Sequence, residues 1–141
     1  MSEPTRPRFR QVAIDTTDAR ASAEFWKALL GLAYRPGDEP PPPGEDDVAG
    51  RDWITLLSSD GAPLLGFQQV ASLARTTWPE GPVPQQLHLD LWVTDRSELA
   101  EVHELVLSLG GVMLEDRSDD EDERLYVYTD PDGHPFCVFI P

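Results

Sequence analysis

The chain has one cysteine, Cys137, one lysine, Lys27, and no apolar run of bilayer-spanning length. Each shortage removes a class of protein. A lone thiol cannot close an internal disulfide, and it suits a reducing compartment. Without a stretch of roughly 20 apolar residues a membrane-spanning helix is not expected. Met1 to Arg10 also lacks a signal-like apolar centre, so a cytoplasmic location is expected. Basic residues are scarce, 11 Lys and Arg against 26 Asp and Glu, for a formal net charge of −15. Such a surface repels phosphate backbones and anionic membranes, so neither nucleic acid nor a membrane is an expected partner.

What the chain does have is a repeat. Asp60-Gly61-Ala62-Pro63-Leu64-Leu65-Gly66-Phe67 aligns without a gap with Asp132-Gly133-His134-Pro135-Phe136-Cys137-Val138-Phe139. In each half the same order precedes this motif: an alternating strand, then an amphipathic helix ending at glycine. Repetition at that spacing implies two copies of one supersecondary unit. With 141 residues and 40% hydrophobic content the chain supports a single core. The modules are expected at residues 8–72 and 85–140, joined by a Pro- and Gly-containing connector over 73–84.

Within the first module, Val12 and Ile14 occupy one face of a strand over 9–15, while Gln11, Ala13 and Asp15 occupy the other. A helix starts after Thr17 or Asp18 and stops at Gly31, with Phe25/Leu29 and Trp26/Leu30 at helical spacing. Residues 37–50 hold four consecutive prolines and five acidic residues, a composition that predicts a mobile, solvated loop at the rim of any cavity. In the second module, Leu87, Leu89, Leu91 and Val93 face one way, and Gln86, His88, Asp90 and Trp92 the other. Asp95 with Glu98 reads as a capping box opening a helix that ends at Gly110-Gly111. His134 lies in a turn and His103 on a helix boundary, so both read as structural. The acidic stretch 117–123 reads as a solvated tip.

Each half is therefore β-α-β-β-β, an α+β arrangement whose sheets pair into one curved, mostly antiparallel surface with helices behind. The order, with Asp130-Pro131-Asp132-Gly133-His134-Pro135-Phe136 ahead of a final strand, resembles the glyoxalase and bleomycin-resistance proteins of the vicinal oxygen chelate superfamily over residues 8–140. That resemblance implies twofold homodimers and, in its metal-dependent members, ligands on the first and last strands of each module, pointing into the cup. Here those places fall on Gln11, His88, Leu65 and Cys137. Leu65 cannot coordinate a metal. Any divalent metal would rest on Gln11, His88 and Cys137, a set without carboxylates, so no resident cofactor is expected.

The cup itself reads as a small-molecule pocket. Leu65, Phe67, Trp92 and Phe139 share its expected parity and supply an apolar, aromatic lining. Gln11, Asp15, Gln69 and His88 would orient a ligand there, with Cys137 in the wall. Flanked by Phe136 and Val138, that thiol is expected to be inert. If the chain is an enzyme, a glyoxalase-like lyase, isomerase or dioxygenase, His88 with Asp90 is the candidate acid-base pair. The favoured reading is a metal-independent binder of a hydrophobic or aromatic compound.

Overall fold

The computed structural model describes residues 2–141. The first module runs β1 (Val12–Thr16), α1 (Ala19–Leu30), β2 (Ala33–Tyr34), β3 (Trp53–Leu57) and β4 (Pro63–Gln69). The second runs β5 (Leu89–Trp92), α2 (Arg96–Ser108), β6 (Val112–Arg117), β7 (Leu125–Thr129) and β8 (Pro135–Phe139). Asp18 caps α1 through Ala21 N–H, and Gly31 ends it with φ 66°, a left-handed turn that favours glycine. Asp95 caps α2 through Glu98 N–H, while the Glu98 carboxylate reaches back to Thr94 N–H rather than to the cap itself.

The expected α+β architecture and repeat are present, with one difference. The strands form two four-stranded sheets, β1-β4-β3-β2 and β5-β8-β7-β6, rather than one continuous surface. In each sheet the opening and closing strands pair in parallel and the rest are antiparallel. The free edges of β1 and β5 border a groove of about 640 Å³ that keeps the sheets apart.

Both helices cover the same side, where a shared core forms. Phe25 and Trp26 of α1 pack edge-on against Phe136 of β8, with Trp26 and Phe136 ring centroids 5.0 Å apart. Burying each such ring contributes on the order of 2–3 kcal/mol. The turn before β8 is tied to the first module at three points. Trp26 Nε1 donates to buried Asp130 at 3.2 Å, the Thr16 hydroxyl donates to Asp132, and His134 Nε2 donates to the Asp15 carbonyl at 2.6 Å. His134 is thus structural, as expected. His103 bonds the Tyr128 hydroxyl at 2.8 Å and stacks on Tyr126, holding α2 to the second sheet.

The gapless alignment of the two halves does not survive folding. Leu57 pairs with Pro63 but Leu56 pairs with Leu65, so Leu64 is a β-bulge, whereas β7 and β8 pair without interruption. One extra residue turns every following side chain to the opposite face. The spatial counterpart of Leu65 is therefore Phe136, not Cys137, since Val12 pairs with Leu65 and Leu89 with Phe136. Leu65 and Phe67 are 3% and 0% exposed and lie in the core beneath α1. Gln69 also faces the helix, accepting from Ala19 N–H at 2.8 Å and donating to the Thr17 carbonyl at 2.7 Å. These three residues, expected in the cup, are on the wrong face for it.

The acidic, proline-rich loop is also not the free lid its composition suggests. Asp38 is buried and accepts from Thr55 N–H and Arg35 Nε at 2.8 and 3.0 Å. Arg20 of α1 donates to the Asp38 carbonyl at 2.7 Å and pairs with Asp47 at 2.8 Å. The anchors are polar, which an apolar pattern cannot reveal. None of residues 37–50 lines either cavity described below.

Candidate functional site

On the second sheet, pairing aligns Asp90, Cys137, Val127 and Glu115 in one row across four strands. The next row is Trp92, Phe139, Leu125 and Arg117. Side chains in cross-strand register share a face, and this face is opposite the helices. The connector folds over part of it. Trp78 from that segment and Gln85 just after it, with Leu125, Val127 and Cys137 below, line a pocket of about 320 Å³. Gln85, His88 and Pro135 line both this pocket and the 640 Å³ groove, so the two spaces adjoin at His88. The groove is largely apolar, with Val12, Ile14, Leu87 and Leu89 along its walls and Trp26 among its lining.

At that junction His88 Nε2 lies 3.1 Å from Asp90 Oδ1. The donor atoms of His88, Asp90 and Cys137 all fall within 4.8 Å of one another. Burial pushes the Cys137 thiol pKa up, and the charges of Asp90, Glu115 and Glu123 push it the same way. A thiol in that field stays protonated and is a poor nucleophile. Arg117, which also lines the pocket, is held by Asp120 at 3.0 Å and Glu123 at 3.1 Å. Gln85 Oε1 is shielded from solvent without a hydrogen-bond partner, a state that normally has a cause.

The residues singled out from sequence do not all come together. His88, Asp90 and Cys137 come together at the pocket. Trp92 and Phe139 stand on the same face, Trp92 64% exposed, but neither lines the pocket or the groove. Asp15 lines the groove from β1. Gln11 stands on the first sheet, its Nε2 and the Trp53 ring lying over Gly66, where a Cβ would come within 2.7 and 2.5 Å of them. Gly66 is the spatial counterpart of Cys137. The closing strand of the first module therefore presents no side chain at all where Leu65 was expected.

Trp78, Gln85, Glu115, Arg117 and Glu123 were not anticipated. Trp78 and Gln85 belong to the irregular stretch before β5, and nothing local marks them. Glu115 faces the pocket because Leu114 is itself a bulge, the pairing shifting between Met113 and Glu115.

The model of the glyoxalase-like domain family matches residues 11–139. No curated protein sequence matches the chain. Among solved structures, a glyoxalase/bleomycin resistance protein from Albidiferax ferrireducens is 21% identical, with 94% of this chain and 98% of that one covered and a TM-score of 0.59. A glyoxalase/dioxygenase from Nostoc punctiforme is 19% identical, with 99% and 97% covered and a TM-score of 0.63. A mutant of the fosfomycin resistance protein FosX from Listeria monocytogenes, complexed with Mn(II) and a dihydroxypropylphosphonic acid, is 16% identical, with 96% and 93% covered and a TM-score of 0.65. At these identities the likeness shows the fold.

Proposed function

Because the chain belongs to the glyoxalase-like domain family across residues 11–139, we propose that it is a small-molecule-binding protein. Its ligand would lie with an apolar part in the groove between β1 and β5 and a polar end at His88. The supporting observation is that the apolar groove and the polar pocket adjoin, sharing Gln85, His88 and Pro135. Each is in the size range of a ligand site. Trp26 and Trp78 line the two spaces, so intrinsic fluorescence should respond saturably to members of a panel of aromatic, drug-like compounds. Trp78→Ala should weaken that binding by about tenfold, as for a removed aromatic contact, while the urea midpoint changes little. A panel without a single saturable response would sink the proposal.

A second reading, an enzyme of the glyoxalase-like class, is favoured by the His88, Asp90 and Cys137 cluster. As a metal site these donors combine nitrogen, oxygen and sulfur, which suits a borderline ion such as zinc better than a hard one such as manganese. They fit a three-ligand site with an open position, where the ion would act as a Lewis acid. Without it, His88 paired to Asp90 would itself move a proton. In either form His88→Gln should abolish turnover and leave ligand binding largely intact. Elemental analysis of the purified protein separates the forms. The metal-free reading expects less than about 0.2 equivalents of metal and no change of Tm with chelator.

No helix among the described residues is long and apolar enough to cross a membrane. We also propose a cytoplasmic homodimer, since the free edges β2 and β6 leave backbone groups unpaired. Sedimentation at micromolar concentration should then give twice the 15.7 kDa chain mass. A monomer would overturn this.

A further inference from the structure

The pocket is charged, and its carboxylates outnumber its one guanidinium. Glu115 and Glu123 line it, Asp90 stands beside His88, and Asp120 adjoins through Arg117. Against four carboxylates there is one guanidinium, already shared between Asp120 and Glu123. An incoming anion would find no free positive group among the residues lining this pocket and would have to displace Arg117 from its partners. A cation would find carboxylates on both sides of Cys137, since Asp90 and Glu115 end the row that contains it. Two features besides the acidic groups point to a bound molecule. The cavity has an aromatic wall, Trp78, suited to lie against a cation. The Gln85 amide oxygen beside it is shielded from solvent and has no donor within the chain, on a residue that is itself only partly buried.

We infer that the ligand of this site is an amphiphilic cation, with its apolar or aromatic body in the β1–β5 groove and an ammonium or amidinium group in the pocket bounded by Glu115, Glu123 and Trp78. The inference rests on the binding reading proposed above and adds the ligand's charge. It also sets this chain apart from its structural neighbour crystallised with a phosphonic acid, because the carboxylates would repel such a group. Asp90 and Glu123 side chains are 59% and 60% exposed, so the preference should be moderate and sensitive to salt.

Three probes of one shape test it: 4-phenylbutyltrimethylammonium, its neutral isostere with carbon in place of nitrogen, and 4-phenylbutylphosphonate. By tryptophan fluorescence at about 20 mM salt the ammonium compound should bind at least about tenfold more tightly than the isostere, and the phosphonate most weakly. At about 500 mM salt the advantage should shrink several-fold. Glu115→Gln with Glu123→Gln should remove most of the advantage, read as the ratio of the two affinities in the same variant. If the isostere or the phosphonate binds as well as the ammonium compound, the cation inference is wrong and the pocket reading stands. If none of the three binds, the pocket reading fails and takes the inference with it.

Discussion

The two halves of this molecule share a fold and use it in opposite ways. In the first sheet the concave face is filled by its own side chains: Trp53 lies over Gly66, bonds Thr55 through its indole N–H at 2.9 Å, and abuts Gln11. In the second sheet the equivalent places hold Leu125, Cys137, Val127 and His88, and with Leu125 in the place of the tryptophan the pocket stays open. A duplicated unit has become one closed module and one open one. The difference comes from a handful of side chains and from a single inserted residue, Leu64.

Leu65→Asp attacks the comparison most directly. Leu65 stands opposite Leu56 and is 3% exposed, on the core face rather than the cup face, so a carboxylate there would be buried without a partner. More than about 4 kcal/mol should be lost, a size reached when an unpaired charge is buried. A urea titration would measure it, and a loss under about 1 kcal/mol would show that Leu65 faces the cup and the bulge does not set the register. A smaller effect is expected from Gly66→Ala. Its Cβ would stand 2.5 Å from the Trp53 ring, and overpacking of that kind costs typically 1–3 kcal/mol. Cys137 already carries a side chain at the matching place, so Cys137→Ala should cost less than Gly66→Ala in the same assay. The reverse order would mean the first face is not packed more tightly than the second.

The smallest effect concerns the polar anchor of the first module, whose counterpart in the second, Arg96 with Asp119 at 3.1 Å, is far more exposed. The Arg20 guanidinium beside Asp47 holds that carboxyl at about 2, below its ordinary 3.8. A depressed folded-state value means the stabilisation is present above 3.8 and is lost as pH falls towards about 2. Arg20→Ala should remove this acid-dependent component, about 1 kcal/mol for a pair that keeps partial contact with solvent. Urea midpoints between about pH 5 and pH 2 would show whether the wild-type and variant curves converge in acid, as they should.

The architecture was legible because two signals agreed, the alternation of Val12/Ile14 and Leu89/Leu91 and the repeated Asp-Gly-x-Pro turn. Half of the site was legible for the same reason. Asp90 and Cys137 sit on strands whose pairing runs without interruption, and His88 directly precedes one of them, so counting in twos placed them correctly. Leu65, Phe67 and Gln69 were misplaced because a bulge leaves no compositional mark at Leu64. The roof of the pocket was hidden for another reason. Trp78 and Gln85 take their positions from tertiary contacts of an irregular segment, including the Arg75 bonds to the Pro131 carbonyl at 2.7 and 3.1 Å. Asp38 and Arg20 likewise show that a charged loop can be held down by hydrogen bonds rather than by apolar residues.

The turn that carries Asp130, Asp132 and His134 reaches out of its own half to hold Trp26, Thr16 and Asp15 of the other. Folding of one half therefore depends on the presence of the other, despite their common plan. Neither would keep its hydrogen-exchange protection if expressed separately, and the whole chain should open as a single cooperative unit. Duplication here has produced a molecule whose parts can diverge in sequence but can no longer be parted.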